Sequence, residues 1–349
     1  MLYGLDDITL IPAKITDIDS RAECDPFYHD YSDKGIFGKH LPLLAAPMSS
    51  VIDENNFNKF AHCGINAVVP RSVDIEKRIS LCKHTFCAFG LDEIKTYFID
   101  DTPLGFGKMS GFLNMYVCID VANGHMLRVY SACRKLKDKY KDGISIMTGN
   151  IANPDTYAYI CDRYEGAVDY IRVGIGGGSC CTTSANAAIH YPMASLIEGC
   201  YTVRVDRGNN NVVCPYIVAD GGFDSFDKII KALALGADYV MLGYVLAKSE
   251  EACGKIISEE YVDGWRRFRY YYGMSTKKAQ KEMGKEELKT AEGIERKVNI
   301  EYPIAKWVEN FTSYLRSAMS YMDARSILDF IGSVRYDKIS PNAFKSFYK

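Results

Sequence analysis

The chain has 349 residues, room for one large α/β domain or two ordinary ones, with 48% hydrophobic and 25% charged residues. Forty-two basic against 44 acidic residues give a formal charge of −2, so neither a nucleic-acid partner nor a membrane surface is suggested. No apolar run nears the roughly 20 residues that span a bilayer, and MLYGLDDITL lacks the basic start and apolar stretch of a secretory signal, which makes a cytoplasmic protein the expectation.

Along the chain a short apolar run, a loop rich in Gly, Asp or Asn and a helical stretch recur. The predicted strands are 42–48, 65–70, 104–109, 115–121, 144–150, 170–176, 214–220 and 238–243. They are continuously apolar, as parallel strands covered on both faces must be. Helices fit between them. In 226–233, Phe226, Ile229, Ile230 and Leu233 share a face, with Asp224 or Ser225 able to cap the start and Gly236 to end it. In 126–140, Val129, Cys133, Leu136 and Tyr140 form a similar stripe. Eight strands with helices between them predict an α/β fold, a (β/α)8 TIM barrel, with a doubly wound open sheet as the rival. After the last strand, 277–300 is charged and helix-prone, either a solvated surface helix or a lid over a site at about 276–300. No linker or repeat divides the chain, so a single catalytic domain over 1–349 is expected.

The twelve cysteines are scattered, with no CxxC pair and no histidine pattern beside them, which argues against structural zinc. A reactive one must be marked by its surroundings. The run Val173-Gly174-Ile175-Gly176-Gly177-Gly178-Ser179-Cys180-Cys181-Thr182-Thr183 marks one: a strand enters a glycine turn, then two cysteines and two threonines. Glycines let backbone groups approach an ion, and a cysteine there sits at the carboxyl end of a strand, where barrel active sites lie. Ala219-Asp220-Gly221-Gly222 and Met241-Leu242-Gly243-Tyr244 end the last two strands, where barrels bind phosphate through backbone N–H groups; they also read as tight turns with a capping Asp. Asp220 would repel a phosphate and suits ribose hydroxyls. Asp120, in Cys118-Ile119-Asp120-Val121-Ala122-Asn123-Gly124, is a helix N-terminal acid or a site residue. Tyr272-Gly273-Met274-Ser275 and Ala291-Glu292-Gly293 complete the motifs.

Together with Asp6-Asp7-Ile8, Ala46-Pro47-Met48, TGN at 148–150, YP at 191–192 and Leu315-Arg316-Ser317, these motifs resemble the IMP dehydrogenase/GMP reductase family, in family order over roughly residues 5–330. The resemblance implies a TIM barrel, usually a homotetramer, with Cys181 as nucleophile and Thr183 and Glu292 as a proton-transfer pair. Ser179, Gly222, Gly243 and Tyr244 match the phosphate cradle and Asp220 the ribose ligand, with Gly221 beside them as substrate-binding. Met274 and Ser275 match contacts to the base, and Gly273 and Lys289 are substrate-binding positions beside them. Asp120, Ala122 and Asn150 match the cofactor side, and the carbonyls of Gly176, Gly178 and Cys181 match a monovalent-cation site, with K+ implied.

Within the family the likeness is to the reductases. Only 44 residues, 71–114, lie where dehydrogenases carry an inserted regulatory domain, and the 17 residues between Met274 and Glu292 hold no Arg-Tyr pair to activate water. The implied reaction is NADPH-dependent reductive deamination of GMP to IMP and ammonia through a Cys181 thioimidate. The alternative is a compact IMP dehydrogenase making XMP from IMP with NAD. The chain departs from the family pattern with Gly177 for Pro, Cys180 for an aliphatic residue, Ser184 and Lys289 for arginines, Tyr244 for Gly, and Arg71 where a His-Lys pair is common. Cys180 reads as a buried spacer.

Overall fold

Eight short parallel strands close on themselves in the computed structural model, which describes residues 1–29, 38–100, 114–262, 264–284, 287–288 and 290–347. They are β1 (Leu43–Ala45), β2 (Asn66–Val69), β3 (Phe86–Phe89), β4 (Met115–Asp120), β5 (Ile144–Ile151), β6 (Tyr170–Val173), β7 (Tyr216–Asp220) and β8 (Tyr239–Leu242). Each pairs with the next, and β8 returns to β1 with Val240 opposite Leu43. The fold is a (β/α)8 barrel.

One strand differs from the sequence reading. The third position is filled by Phe86-Cys87-Ala88-Phe89, paired with β2 and with β4, and not by 104–109; the segment 104–109 lies outside the described residues. A four-residue apolar run between Thr85 and Gly90 carries little periodicity, yet it is buried on both faces. Phe86 points into the barrel with Tyr116 and Tyr170 edge-on to its ring, and Phe89 packs outward on Phe98.

Side chains alternate along the strands. Leu44, Val68, Ala88, Cys118, Met147, Val218 and Met241 fill the barrel, while Val117, Ile119, Ile146 and Ile217 face the helical layer. Each fully buried Phe or Ile contributes about 1.5–3 kcal/mol. The helix Leu127–Tyr140 turns Val129, Cys133 and Leu136 to this layer, as their spacing predicts. Phe226–Ala234 does the same with Ile229, Ile230 and Leu233. Its N-cap is Ser225, whose hydroxyl donates to the Asp227 carboxylate (2.6 Å) instead of capping the backbone. Gly236 takes φ +110° beside the Tyr201 ring.

The excursion after β8 is mostly sheet, which corrects the surface-helix alternative. Strands β9 (Ile257–Tyr261), β10 (Gly264–Tyr272) and β11 (Glu295–Asn299) form an antiparallel three-stranded sheet, and within 277–300 only Lys277–Glu282 is helical among the described residues. The charged side chains that suggested a helix stand on the solvent side of β11, with Val298 alone buried. Among the described residues, no helix is long and apolar enough to cross a membrane.

Candidate active site

The carboxyl ends of the strands bring the motifs together. Asp120 ends β4, Asn150 lies near the end of β5, Asp220 ends β7, Gly243 follows β8, and the glycine turn follows β6. Gly174, the first residue past β6, has φ +126°, and a Cβ there would lie 2.2 Å from the Asp220 carbonyl oxygen. Only glycine permits that approach, so the strand must end there and the chain turn across the barrel mouth. Gly176, with φ +75°, packs equally tightly on Ser184.

The turn delivers Cys181 half-buried, with its N–H on Gly178 O (2.9 Å). The Cys181 thiol donates to Thr183 Oγ1 at 3.3 Å, and Thr183 Oγ1 donates to Glu292 Oε2 at 2.9 Å. Glu292 comes from the far side of the excursion sheet, 109 residues on, and is exposed. Its backbone is fixed as well. Glu292 O accepts from Thr182 N (3.1 Å), Ile294 N donates to Cys180 O (2.9 Å), and Cys181 and Gly293 form an antiparallel bridge. Cys180 is only 2% exposed, its thiol donates to Tyr271 O (3.5 Å), and burial pushes its pKa up to about 11. At neutral pH it stays a thiol beside the accessible Cys181.

Behind the turn lies a polar layer. Asn150 Nδ2 donates to Asp220 Oδ2 and to Gly174 O, both at 2.8 Å, so both of its amide protons are used. Asp120 Oδ1 accepts from Arg172 Nη2 at 2.6 Å. Burial raises the Asp220 pKa, Arg172 and Asn150 pull it back, and Asp120 raises it again. Ala122 is exposed on the loop after β4, and that loop is held by Gly124 N on Asn150 O (3.0 Å).

Tyr271 and the glycines of the last two strands form a cradle. The buried Ser179 Oγ has no well-formed hydrogen bond, although the Tyr271 phenol and the Cys180 thiol lie close enough to feel it. A Cβ on Gly243 would lie 2.7 Å from the Tyr271 hydroxyl. Gly221 and Gly222 take φ +103° and +88° against the backbone of Gly177 and Gly178. Such space, closed to any side chain and faced by an unspent hydroxyl, suits a phosphate. Tyr244 is half-buried with its ring 5.8 Å from that of Tyr271. Met274 Sδ accepts from Ser49 N at 3.5 Å, Ser275 is exposed at the mouth, and Gly273 precedes them at the end of β10.

The chain matches the model of the IMP dehydrogenase / GMP reductase domain over residues 114–346. The chain belongs to the IMP dehydrogenase/GMP reductase family. Its relatives include a GMP reductase of Buchnera aphidicola subsp. Baizongia pistaciae, 34% identical over 86% of this chain and 83% of that protein. The GMP reductases of Shigella boydii serotype 18 and Yersinia enterocolitica are 29% and 28% identical, each over 92% of this chain and 90% of the relative.

The structure brings the side chains of Cys181, Thr183 and Glu292 into one hydrogen-bonded row and those of Asn150 and Asp220 into another. Lys289 lies outside the described residues. Two residues were missed. Arg172 read as one more residue of a buried strand, though a lone arginine in an apolar run signals a buried carboxylate partner. Tyr271 stood unremarked beside the Tyr272-Gly273-Met274-Ser275 motif. The carbonyls of Gly176 and Gly178 already accept from Ser184 Oγ (3.1 Å) and Cys181 N (2.9 Å), and each keeps a second lone pair for a cation.

Proposed function

We propose that the chain catalyses NADPH-dependent reductive deamination of GMP to IMP and ammonia, with Cys181 as nucleophile. The observation that carries this reading is the continuous chain of hydrogen bonds from the Cys181 sulfur through Thr183 to Glu292. It can withdraw the thiol proton and return it to a leaving group without a water molecule.

The steps follow from the residues. As Cys181 gives its proton to Thr183 and Thr183 gives its own to Glu292, the sulfur attacks C2 of GMP. The same path then protonates the 2-amino group, whose bond to C2 breaks, and ammonia leaves. C2 is then an electron-poor thioimidate. Asp120, Ala122 and Asn150 would hold the nicotinamide, which would supply a hydride to C2 when bound. The C2–sulfur bond breaks and IMP departs. Two protons are consumed overall, so GMP, NADPH and two protons give IMP, NADP+ and ammonium. Ser179, Gly222, Gly243 and Tyr244 would hold the phosphate, Asp220 the ribose hydroxyls, and Met274, Ser275 and Lys289 the base. The carbonyls of Gly176, Gly178 and Cys181 would hold K+ and stiffen the loop that Gly177 leaves flexible. The excursion closes the mouth so that water cannot compete for C2.

The same reading takes residues 1–349 as one catalytic unit with a lid at about 276–300, a homotetramer in the cytoplasm.

The test is turnover of GMP with NADPH, followed by loss of nicotinamide absorbance and identification of IMP and ammonia, with IMP plus NAD in parallel. Formation of XMP without GMP-dependent NADPH oxidation would falsify the proposal. Cys181→Ala is expected to abolish turnover and keep GMP binding.

A further inference from the structure

A single carboxylate outside the residues assigned so far fastens the lid to the barrel. Glu282, the last residue of the helix Lys277–Glu282, accepts from Tyr272 Oη on one oxygen and from Ser49 Oγ on the other, both at 2.7 Å. Ser49 belongs to the loop after β1, and Tyr272 ends β10 just before the turn Gly273–Ser275. The neighbouring Ser50 Oγ donates to Tyr272 O (3.1 Å), and Ser49 N donates to Met274 Sδ. One turn before Glu282, Lys278 lies 4.2 Å from the Tyr272 ring centroid and 3.5 Å from Glu295, which is opposite Tyr272 in the sheet. Residues 278 and 282 share a helix face, so one grips the ring and the other its hydroxyl.

The grip bears on the site along two routes. Tyr272 leads directly into Met274 and Ser275. The strand leaving Glu292 passes over the same turn, since a Cβ on Gly293 would lie 3.1 Å from Ser275 Oγ and 3.2 Å from Thr276 Cγ2. Gln280 adds a bond from Nε2 to Ser275 O (3.1 Å). Two hydroxyls donating to one carboxylate make charge-assisted bonds, and burial together with Glu282 keeps the Tyr272 phenol protonated. Glu282 is nevertheless exposed, so water can replace its partners when the segment lifts.

We infer that Glu282, acting through Tyr272 and Ser49, is a positioning residue that sets the base-binding turn and Glu292 for reaction. The inference deepens the reading of this site as one for GMP and rests on it. The hydrogen bonds of the Glu282 carboxylate go to Ser49 and Tyr272, so its proposed action on the site passes through them.

The experiment compares Glu282→Ala, Glu282→Gln and Tyr272→Phe in the full chain. With GMP and NADPH, Glu282→Ala is expected to lower kcat about tenfold or more and to raise KM for GMP by a smaller factor. Glu282→Gln can accept from Tyr272 and donate to Ser49, and is expected within about threefold of wild type. Tyr272→Phe falls between them. Without nucleotide, trypsin cleavage after Lys281 is expected to accelerate in the Ala and Phe variants and not in the Gln variant. Unchanged kcat, KM and cleavage in Glu282→Ala would overturn the inference, and so would a lowered Tm with unchanged kcat and KM. If Glu282→Ala does not fold, Tyr272→Phe decides, because it removes one hydroxyl only. If the wild type fails to turn over GMP, the substrate reading falls by itself, and the cleavage comparison still accepts or rejects the latch.

Discussion

Arg172 donates from Nη2 to Asp120 Oδ1 at 2.6 Å, joining the ends of β4 and β6 across β5. The arginine side chain is 4% exposed and the carboxylate 21%. Removing one partner of a buried pair strands the other charge, and here Asp120 would be left with Asp220 in the same layer. Arg172→Met is therefore expected to destabilise the fold by about 3–5 kcal/mol. Urea unfolding at neutral pH measures this. A loss below about 1 kcal/mol would mean that solvent already compensates Asp120.

The thiol–hydroxyl–carboxylate chain predicts non-additive kinetics. Thr183→Val removes the middle of the path and Glu292→Gln its end, and each is expected to lower kcat by about 10²–10⁴. Because either break interrupts the same transfer, the double variant should be no slower than the worse single one. Three steady-state measurements settle the point, and losses that multiply would show two independent roles.

The parts legible in the sequence were those whose chemistry is local. A strand that must end in glycine, with Cys181 and Thr183 within nine residues of Gly174, announces a site at the barrel mouth from spacing alone. Glu292 could be named only through the family resemblance, because it lies 109 positions after Thr183 and is brought back by a sheet that no periodicity reveals. β3 was misplaced because four apolar residues look the same in a strand and in a turn; Val68 and Val117 pairing on either side make it a strand. Charged residues on the open face of β11 mimicked a helix for the same reason, since composition records exposure and not backbone geometry.

Asp220 supplies a pH dependence. Burial lifts its pKa above the ordinary aspartate value of 3.8, with Arg172 and Asn150 opposing. A raised carboxyl favours the protonated form in the fold, so its contribution to stability is present below the ordinary value and is lost as pH rises through the raised one. Under the proposed role of Asp220 binding would run the other way, because only the ionised carboxylate could accept from both ribose hydroxyls. KM for GMP is expected to rise as pH falls through that raised value. Asp220→Asn should show a high KM that no longer changes with pH. A wild-type KM that stays flat down to the ordinary aspartate value of 3.8 would remove Asp220 from ribose binding.

Gly293 offers a test of whether lid placement alone limits the chemistry. A Cβ there would lie 2.9 Å from the Cys180 carbonyl oxygen, and that oxygen is fixed by Ile294 N. Backbone on both sides cannot yield, so Gly293→Ala must lift the strand and draw the Glu292 carboxylate away from Thr183. A shift of this size next to a proton path is expected to lower kcat by about 10²-fold. Tm should move little, because residues 292–297 bury almost nothing. Gly208→Ala is the matched control. It lies in the helix Met193–Asn209 with nothing within 4 Å of the added methyl, and should stabilise by up to about 1 kcal/mol with kcat unchanged. If Gly293→Ala keeps full activity, Glu292 reaches Thr183 from more than one lid position, and the hydrogen bond at 2.9 Å is not what sets the rate.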